Sequence, residues 1–287
     1  MSNQERGATR AGCLYVVATP IGNLGDMSER ALRVLGEVTL IAAEDTRHSM
    51  PLLRHFHIDT PMQAYHEHNE REMTPRLIER LLGGEDLALI SDAGTPLISD
   101  PGFHLVRAAR DAGVTVSPVP GASSLIAALS VAGMPTDRFV FEGFPPSRPN
   151  ARRKRFEELR GESRTLVLLE SSHRVAESLA DMCDVFGGDR VAVLARELTK
   201  TYETIRKAGL AELAAWVRAD ADQQRGEFVI LIAGAEVDVD ASQAEGERIM
   251  ARLLTELPAR KAAGIAAELS GANKNALYRW AIDQNGE

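Results

Sequence analysis

The strongest constraint on this chain's fold is a set of four short, largely apolar runs, each bounded by turn residues. They are Leu14–Ala18, Leu40–Ala43, Leu87–Ile90 and Val114–Val116. Runs this short and this apolar read as strands covered on both faces. The stretches between them have helical spacing. Asp26–Glu29 (DMSE) reads as a capping box opening a helix through Leu32 and Leu35 that stops at Gly36. Met73, Leu77, Ile78, Leu81 and Leu82 mark a second helix within Asn69–Leu82, ended by Gly83 and Gly84. Strands alternating with helices predict βα units on a mainly parallel sheet. The first α/β domain is expected over residues 13–136.

A break at Gly133–Asp137 and a proline-rich turn at Gly143–Pro149 separate this half from a second set of strands. Phe139–Phe141, Thr165–Leu169, Val191–Ala195 and Phe228–Ile232 carry that pattern, with helices near Val175–Val185 and Leu210–Val217. Glu203–Lys207 fits an antiparallel strand, and a second α/β domain is expected over residues 137–235. Ala235–Glu247 holds five acidic residues and no basic one, so it reads as a solvated linker. Residues 248–287 are helical throughout in pattern, with a turn at Gly271–Asn273. That tail fits a small helix-turn-helix-like domain or a three-helix cap equally well.

Charge narrows the partners. Thirty-three Lys and Arg stand against 41 Asp and Glu, for a net charge of −8. Such a chain is no bulk polyelectrolyte partner for nucleic acid, though a local basic patch can still bind phosphate. Cys13 and Cys183 form no CxxC pair, which fits a reducing compartment. Met1–Gly12 lacks the apolar segment of a signal peptide, and no apolar run reaches the roughly 18 residues of a membrane span. A cytoplasmic protein with no membrane partner is expected.

Three loops follow predicted strands. Thr19–Asp26 (TPIGNLGD) is not GxGxxG, and the acidic helix start after it would repel a pyrophosphate. No Walker lysine motif occurs either. Ser91–Gly102 (SDAGTPLISDPG) packs two Asp, two Pro and two Gly into one rigid loop. Val119–Ser124 (VPGASS) offers small residues that let backbone amides approach a ligand. Open α/β sheets bind ligands at the carboxyl ends of their strands, so the three loops together point to a small-molecule site. The second half adds Leu169–Arg174 (LESSHR), Ala195–Tyr202 (ARELTKTY) and Glu227, charged runs beside buried strands that would face the same cleft.

Five of seven histidines lie between His48 and His68, yet nothing completes a metal-ligand spacing; no metal is expected, and His66 and His68 read as substrate hydrogen-bonders. Arg148, Arg152, Arg153, Lys154 and Arg155 crowd into eight residues. That run reads as a solvated helix face or a phosphate-facing patch.

Taken in order, Thr19–Asp26, Ala43–His48 (AEDTRH), His66–Glu70 (HEHNE), Ser91–Pro96 (SDAGTP) and Arg196–Lys200 (RELTK) resemble one family. They are similar to the motifs of bacterial 16S ribosomal RNA 2′-O-ribose cytidine methyltransferases, which belong to the tetrapyrrole methylase superfamily (class III methyltransferases). The resemblance runs from Leu14 to Ala233 and into the tail at Lys274–Tyr278. It implies two α/β domains clasping S-adenosyl-L-methionine between them, commonly as a homodimer. It also implies methyl transfer to a cytidine ribose in the decoding region of the small ribosomal subunit.

By that resemblance Pro20, Asp92, Gly94, Thr95, Ser123, Ser124, Leu169 and Ala195 would hold the cofactor, with Glu170 and Glu227 nearby. A ribose hydroxyl is a weak acid and needs a base or a cation to attack. Asp45 or Glu44 would take the proton, and Lys200 or Arg47 would steady charge or hold a phosphate; Asp45 and Lys200 are expected to matter most. The run Arg148–Arg155 would guide RNA. Two rivals share the fold: a methyltransferase acting on a tetrapyrrole ring, and a non-catalytic RNA-binding protein.

Overall fold

The computed structural model describes residues 11–235 and 239–285. Residues 1–10, on which the signal-peptide expectation rests, and residues 236–238 of the expected acidic linker lie outside the described residues. The described chain divides into two compact units, one through Ala233 and one from Gly234 onward.

The first unit holds two five-stranded sheets. In the first sheet β1 (Cys13–Val17), β2 (Leu40–Ala43), β3 (Met62–Ala64), β4 (Leu87–Ile90) and β5 (Thr115–Val119) lie in the order β3-β2-β4-β1-β5, all parallel. Every residue of β2 and β4 is buried because helices cover both faces. On one face α1 (Glu29–Glu37) and α2 (Thr46–His55) contribute Ala31, Val34, Leu35 and Leu53. On the other, α3 (Glu70–Leu82) and α4 (Phe103–Asp111) contribute Met73, Leu77, Leu81 and Leu105. The short edge strand β3 has no apolar run to announce it and is absent from the sequence reading. The capping box is also displaced. Ser28, not Asp26, caps α1 through its hydroxyl to the Ala31 N–H at 3.1 Å, and the helix runs through Gly36 to Glu37.

After α5 (Ser124–Val131) come β6 (Phe139–Gly143), α6 (Pro149–Leu159), β7 (Thr165–Ser171), α7 (Val175–Phe186), β8 (Val191–Arg196), β9 (Thr204–Gly209), α8 (Leu210–Ala219) and β10 (Glu227–Ile232). The strand order is β6-β7-β10-β8-β9. This sheet is mixed: β6 and β7 are parallel, whereas β10 runs antiparallel to both β7 and β8, and β9 antiparallel to β8. The expected antiparallel strand near Glu203–Lys207 is β9. Helices α6, α7 and α8 bury Phe156, Leu179, Met182 and Leu213 on one face. The other face, with Val167, Val193 and Val229, packs on Leu125 and Leu129 of α5 and on Ile21 of the first loop. The two sheets are thereby joined in one unit.

The second unit is three helices, α9 (Val239–Leu253), α10 (Ala259–Ser270) and α11 (Lys274–Asn285), packed around Met250, Ala262, Ala266, Leu277 and Ala281. Most of the acidic stretch read as linker is therefore the first turns of α9. Gly271, at φ +75°, ends α10 in the left-handed region, and the Asn273 side chain accepts the Asn275 and Ala276 N–H groups to start α11.

Candidate active site

A parallel sheet brings all its strand carboxyl ends to one edge, so the loops after β1, β2, β4 and β5 meet there. Thr19 and Gly94 exchange two backbone hydrogen bonds, at 2.9 and 3.1 Å, tying the first loop to the second. Gly94 allows this with φ +82°, and the Thr95 hydroxyl donates to Ala122 O at 3.0 Å, adding the third loop. The Asp45 N–H donates to Asp92 Oδ1 at 3.1 Å and the Asp92 N–H to Glu44 Oε2 at 3.4 Å, joining the β2 end.

Against this edge lie the β7 and β8 ends and the start of β10. A cavity of about 390 Å³ opens between the two sheets. Glu44, Asp92 and Asp100 line one side, and Leu169, Ala195 and Val229 the other. Of the residues expected to hold cofactor, Asp92, Ser124, Leu169, Glu170, Ala195 and Glu227 line this cavity. Gly94, Thr95 and Ser123 do not; the first two shape the loop junction instead, and Ser123 stands just before α5. A smaller hollow of about 290 Å³ shares Ile21, Asp92, Ala93 and Glu227 with the cavity and adds Pro20, His48 and Lys200.

The electrostatics are lopsided. Among the described residues, Glu44, Asp92 and Asp100 have no Lys or Arg ion-pair partner. Burial, together with Asp92 and Glu67, pushes the Glu44 carboxyl up, against the Asp92 N–H bond. Burial and the charges of Glu44 and Asp92 push Asp100 up to about 6, against a hydrogen bond from Ser91. A raised carboxyl pKa stabilises the fold below the unfolded value, and that stability is lost as pH rises through the folded value. Asp100→Asn should therefore melt a few degrees above the parent at pH 8, and the gap should close below about pH 4. Thermal melts across that range, without added ligand, check it. Strain concentrates here too. Among described non-glycine residues with positive φ, Leu97, Ser99, Glu197 and Thr199 fall in the two loops lining the cavity.

Several expected roles move. Asp45 lines neither cavity. Its carboxylate caps α2, accepting the Arg47 N–H at 2.8 Å and the Arg47 guanidinium at 2.9 Å, and these bonds hold it at about 2. The carboxylate is thus placed as the cap of its own helix, outside both cavities. Arg47 is engaged in the same pair and also lines neither cavity. Glu170 is a buried scaffold carboxylate, bound by the Ser178 hydroxyl, the Ser171 N–H and Arg174. Lys200 lines the smaller hollow, its Nζ 2.9 Å from Glu197 and 3.0 Å from Glu227. Burial works against its charge, but those two carboxylates outweigh burial and hold its pKa raised.

The basic run is mostly neutralised. Arg152 is 1 % exposed, pairs with Asp181 at 2.6 Å, and is not an RNA-facing residue. Arg153 pairs with Asp181 and Asp184, and Arg155 with Glu142 and Glu158. Only Arg148 and Lys154 of the run are exposed without an ion pair among the described residues. The His66 and His68 rings meet edge-on at 5.9 Å in the loop after β3, outside both cavities, and His66 Nδ1 is buried without a hydrogen-bond partner among the described residues. Asp100, Ser99 and Glu197 are site residues that the sequence reading did not single out, although all three lie in its motifs. Among the described residues no His, Cys, Asp and Glu group could hold a metal, and no helix is long and apolar enough to cross a membrane.

A two-sheet unit with its cavity at the strand ends is the architecture of a known class. The family model for tetrapyrrole (corrin/porphyrin) methylases matches residues 13–214, and the chain belongs to that family. Residues 240–285 match the RsmI C-terminal HTH domain. Ribosomal RNA small subunit methyltransferase I of Pseudomonas aeruginosa is 61% identical to this chain over 279 residues, 96% of this chain and 99% of that protein. Its namesake in Escherichia coli O157:H7 is 49% identical over 286 residues, covering all of both. Among solved structures, the methyltransferase CobJ aligns at TM-score 0.57 and 18% identity, over 78% of this chain and 95% of that one. Diphthine synthase aligns at TM-score 0.57 and 15% identity, over 77% and 89%. At such identities these two show the fold alone.

Proposed function

We propose that the chain is an S-adenosyl-L-methionine-dependent methyltransferase of small-subunit ribosomal RNA, acting on the 2′-hydroxyl of a cytidine ribose in the decoding region. The observation that carries this reading is the pairing of two cavities. One presents three carboxylates without cationic partners among the described residues, and it shares Ile21, Asp92, Ala93 and Glu227 with a second that holds Lys200. The unpaired carboxylates fit a cationic ligand, because its charge would offset the burial and the mutual repulsion that raise Glu44 and Asp100. When bound, S-adenosyl-L-methionine would supply a sulfonium-borne methyl for in-line transfer to an oxygen nucleophile, the C–O bond forming as the C–S bond breaks and the sulfur leaving as a neutral thioether.

The chain's own residues supply position and charge. Leu169, Ala195 and Val229 give the larger cavity an apolar wall that excludes water, and Glu44, Asp92 and Asp100 face the ligand's positive charge. Asp92 lines both spaces, so its carboxylate takes the proton of a hydroxyl seated in the smaller one. Lys200 steadies the negative charge that develops on that oxygen. Holding the two partners at one junction supplies much of the acceleration. Cofactor affinity should rise as pH is raised through about 6, because ionised Asp100 attracts the cation. Calorimetry between pH 5 and 8 reads it.

The smaller hollow is at the lower end of ligand-pocket sizes, which favours a nucleoside over a tetrapyrrole ring. Arg148 and Lys154 remain for phosphate contacts, and a homodimer working in the cytoplasm belongs to the same reading. The deciding assay is transfer from radiolabelled cofactor to unmodified small subunits, followed by digestion to nucleosides. Label in 2′-O-methylcytidine supports the reading; cofactor binding without label in any nucleoside overturns it.

A further inference from the structure

We infer that the smaller hollow is a nucleobase pocket, receiving a pyrimidine turned out of its RNA stack and reading its edge with Ser49 and His48. The inference rests on the proposal that the acceptor is an RNA ribose. Its own ground is the chemistry of the hollow's lining. Ser49 lines it from α2, is 3 % exposed, and its buried hydroxyl has no hydrogen-bond partner among the described residues. A buried hydroxyl left unpaired is costly in an apo fold and gains a partner when a ligand with donors and acceptors arrives. The hydroxyl does not even bond back to its own helix, the usual way a helical serine is satisfied.

The other groups fit the same occupant. Pro20, Ile21, Leu24 and Leu52 supply apolar surface suited to the faces of a planar ring. Leu24 is 43 % exposed, an apolar side chain left open at the rim of the hollow. His48, on the exposed side, adds a donor or acceptor beside Ser49. Lys200 lines the same hollow as the junction residue Asp92, and there it would meet the sugar and phosphate of the same nucleotide. A base inside a helix cannot enter such a hollow, so the nucleotide is extruded, at a cost of a few kcal/mol in lost stacking.

Two readouts separate this inference from the reaction it rests on. The first is kinetics on unmodified small subunits for the parent, Ser49→Leu, Ser49→Ala and His48→Ala. Ser49→Leu, which fills the hollow, should lower kcat/KM about 100-fold with cofactor affinity unchanged, since Ser49 is no part of the larger cavity. Ser49→Ala and His48→Ala should each relax the preference for cytidine over uridine at the target by about tenfold. The second is binding to a short RNA of the target segment carrying pyrrolocytosine, which brightens on unstacking. The parent should raise its emission, and Ser49→Leu should not. Normal kinetics and preference in the variants, or no rise in emission with a parent that methylates subunits, overturns the base pocket. A rise in emission that depends on Ser49, without methyl transfer, would keep the pocket and overturn the proposed reaction.

Discussion

Arg152→Ala is expected to cost the first unit about 3 kcal/mol in urea unfolding, the lower end for breaking a buried ion pair. Arg152 lies between α6 and α7, and its guanidinium is the buried partner of Asp181, itself only 3 % exposed. Removing the cation leaves a buried carboxylate whose one remaining pair among the described residues is with the half-exposed Arg153. Replacing both Arg152 and Asp181 by apolar residues of similar volume should restore most of the loss. The folded variant should bind small subunits as the parent does. By contrast, Arg148→Ala and Lys154→Ala should change stability by less than about 0.5 kcal/mol. Each should reduce the salt dependence of RNA binding by about one unit of slope. Were Arg152→Ala to weaken RNA binding without loss of stability, its assignment as a structural residue would be wrong.

Lys200→Met is expected to lower kcat by about 10²–10³-fold, the range for removing one preorganised charge from a developing oxyanion. Its cofactor affinity should stay within a few-fold, because Lys200 lines the smaller hollow and not the larger cavity. Gly22→Ala should move in the same direction. Gly22 has φ +143°, and a Cβ there would lie 2.3 Å from Lys200 Cγ and 2.6 Å from Cε. The lysine stem runs over the bare glycine, so a side chain there must shift the stem that carries Nζ. A displacement of about 1 Å at such a site is worth roughly 100-fold in rate. Rapid-quench kinetics with saturating cofactor would measure both. Equal loss of cofactor affinity and turnover in Lys200→Met would place the lysine on the cofactor instead.

Strand ends and loop composition point to the loops that line the larger cavity. The buried runs around Leu40–Ala43 and Leu87–Ile90 appear in the structure with the same ends, since a strand covered on both faces must be apolar throughout. The β3 edge and the antiparallel course of β10 were not legible. A three-residue strand has no period, and strand direction is set by partners distant in sequence. Lys200 could be placed because its motif follows a buried strand. Asp100 was hidden in the same loop as Asp92: its raised pKa comes first from burial and then from Glu44, both of which reach it only through the fold.

By its sequence alone the chain determines alternating strands and helices, three small-residue loops at the strand ends, a helical tail and a family resemblance. All of these are local patterns of apolar period, turn chemistry and motif order. The tertiary structure decided which charges those patterns leave working. It turned Asp45 into a helix cap, sank Arg152 against Asp181, and put Asp92 where two cavities meet. A charge is spent or available according to its partners and its access to water, and both are set by contacts between segments far apart in the chain.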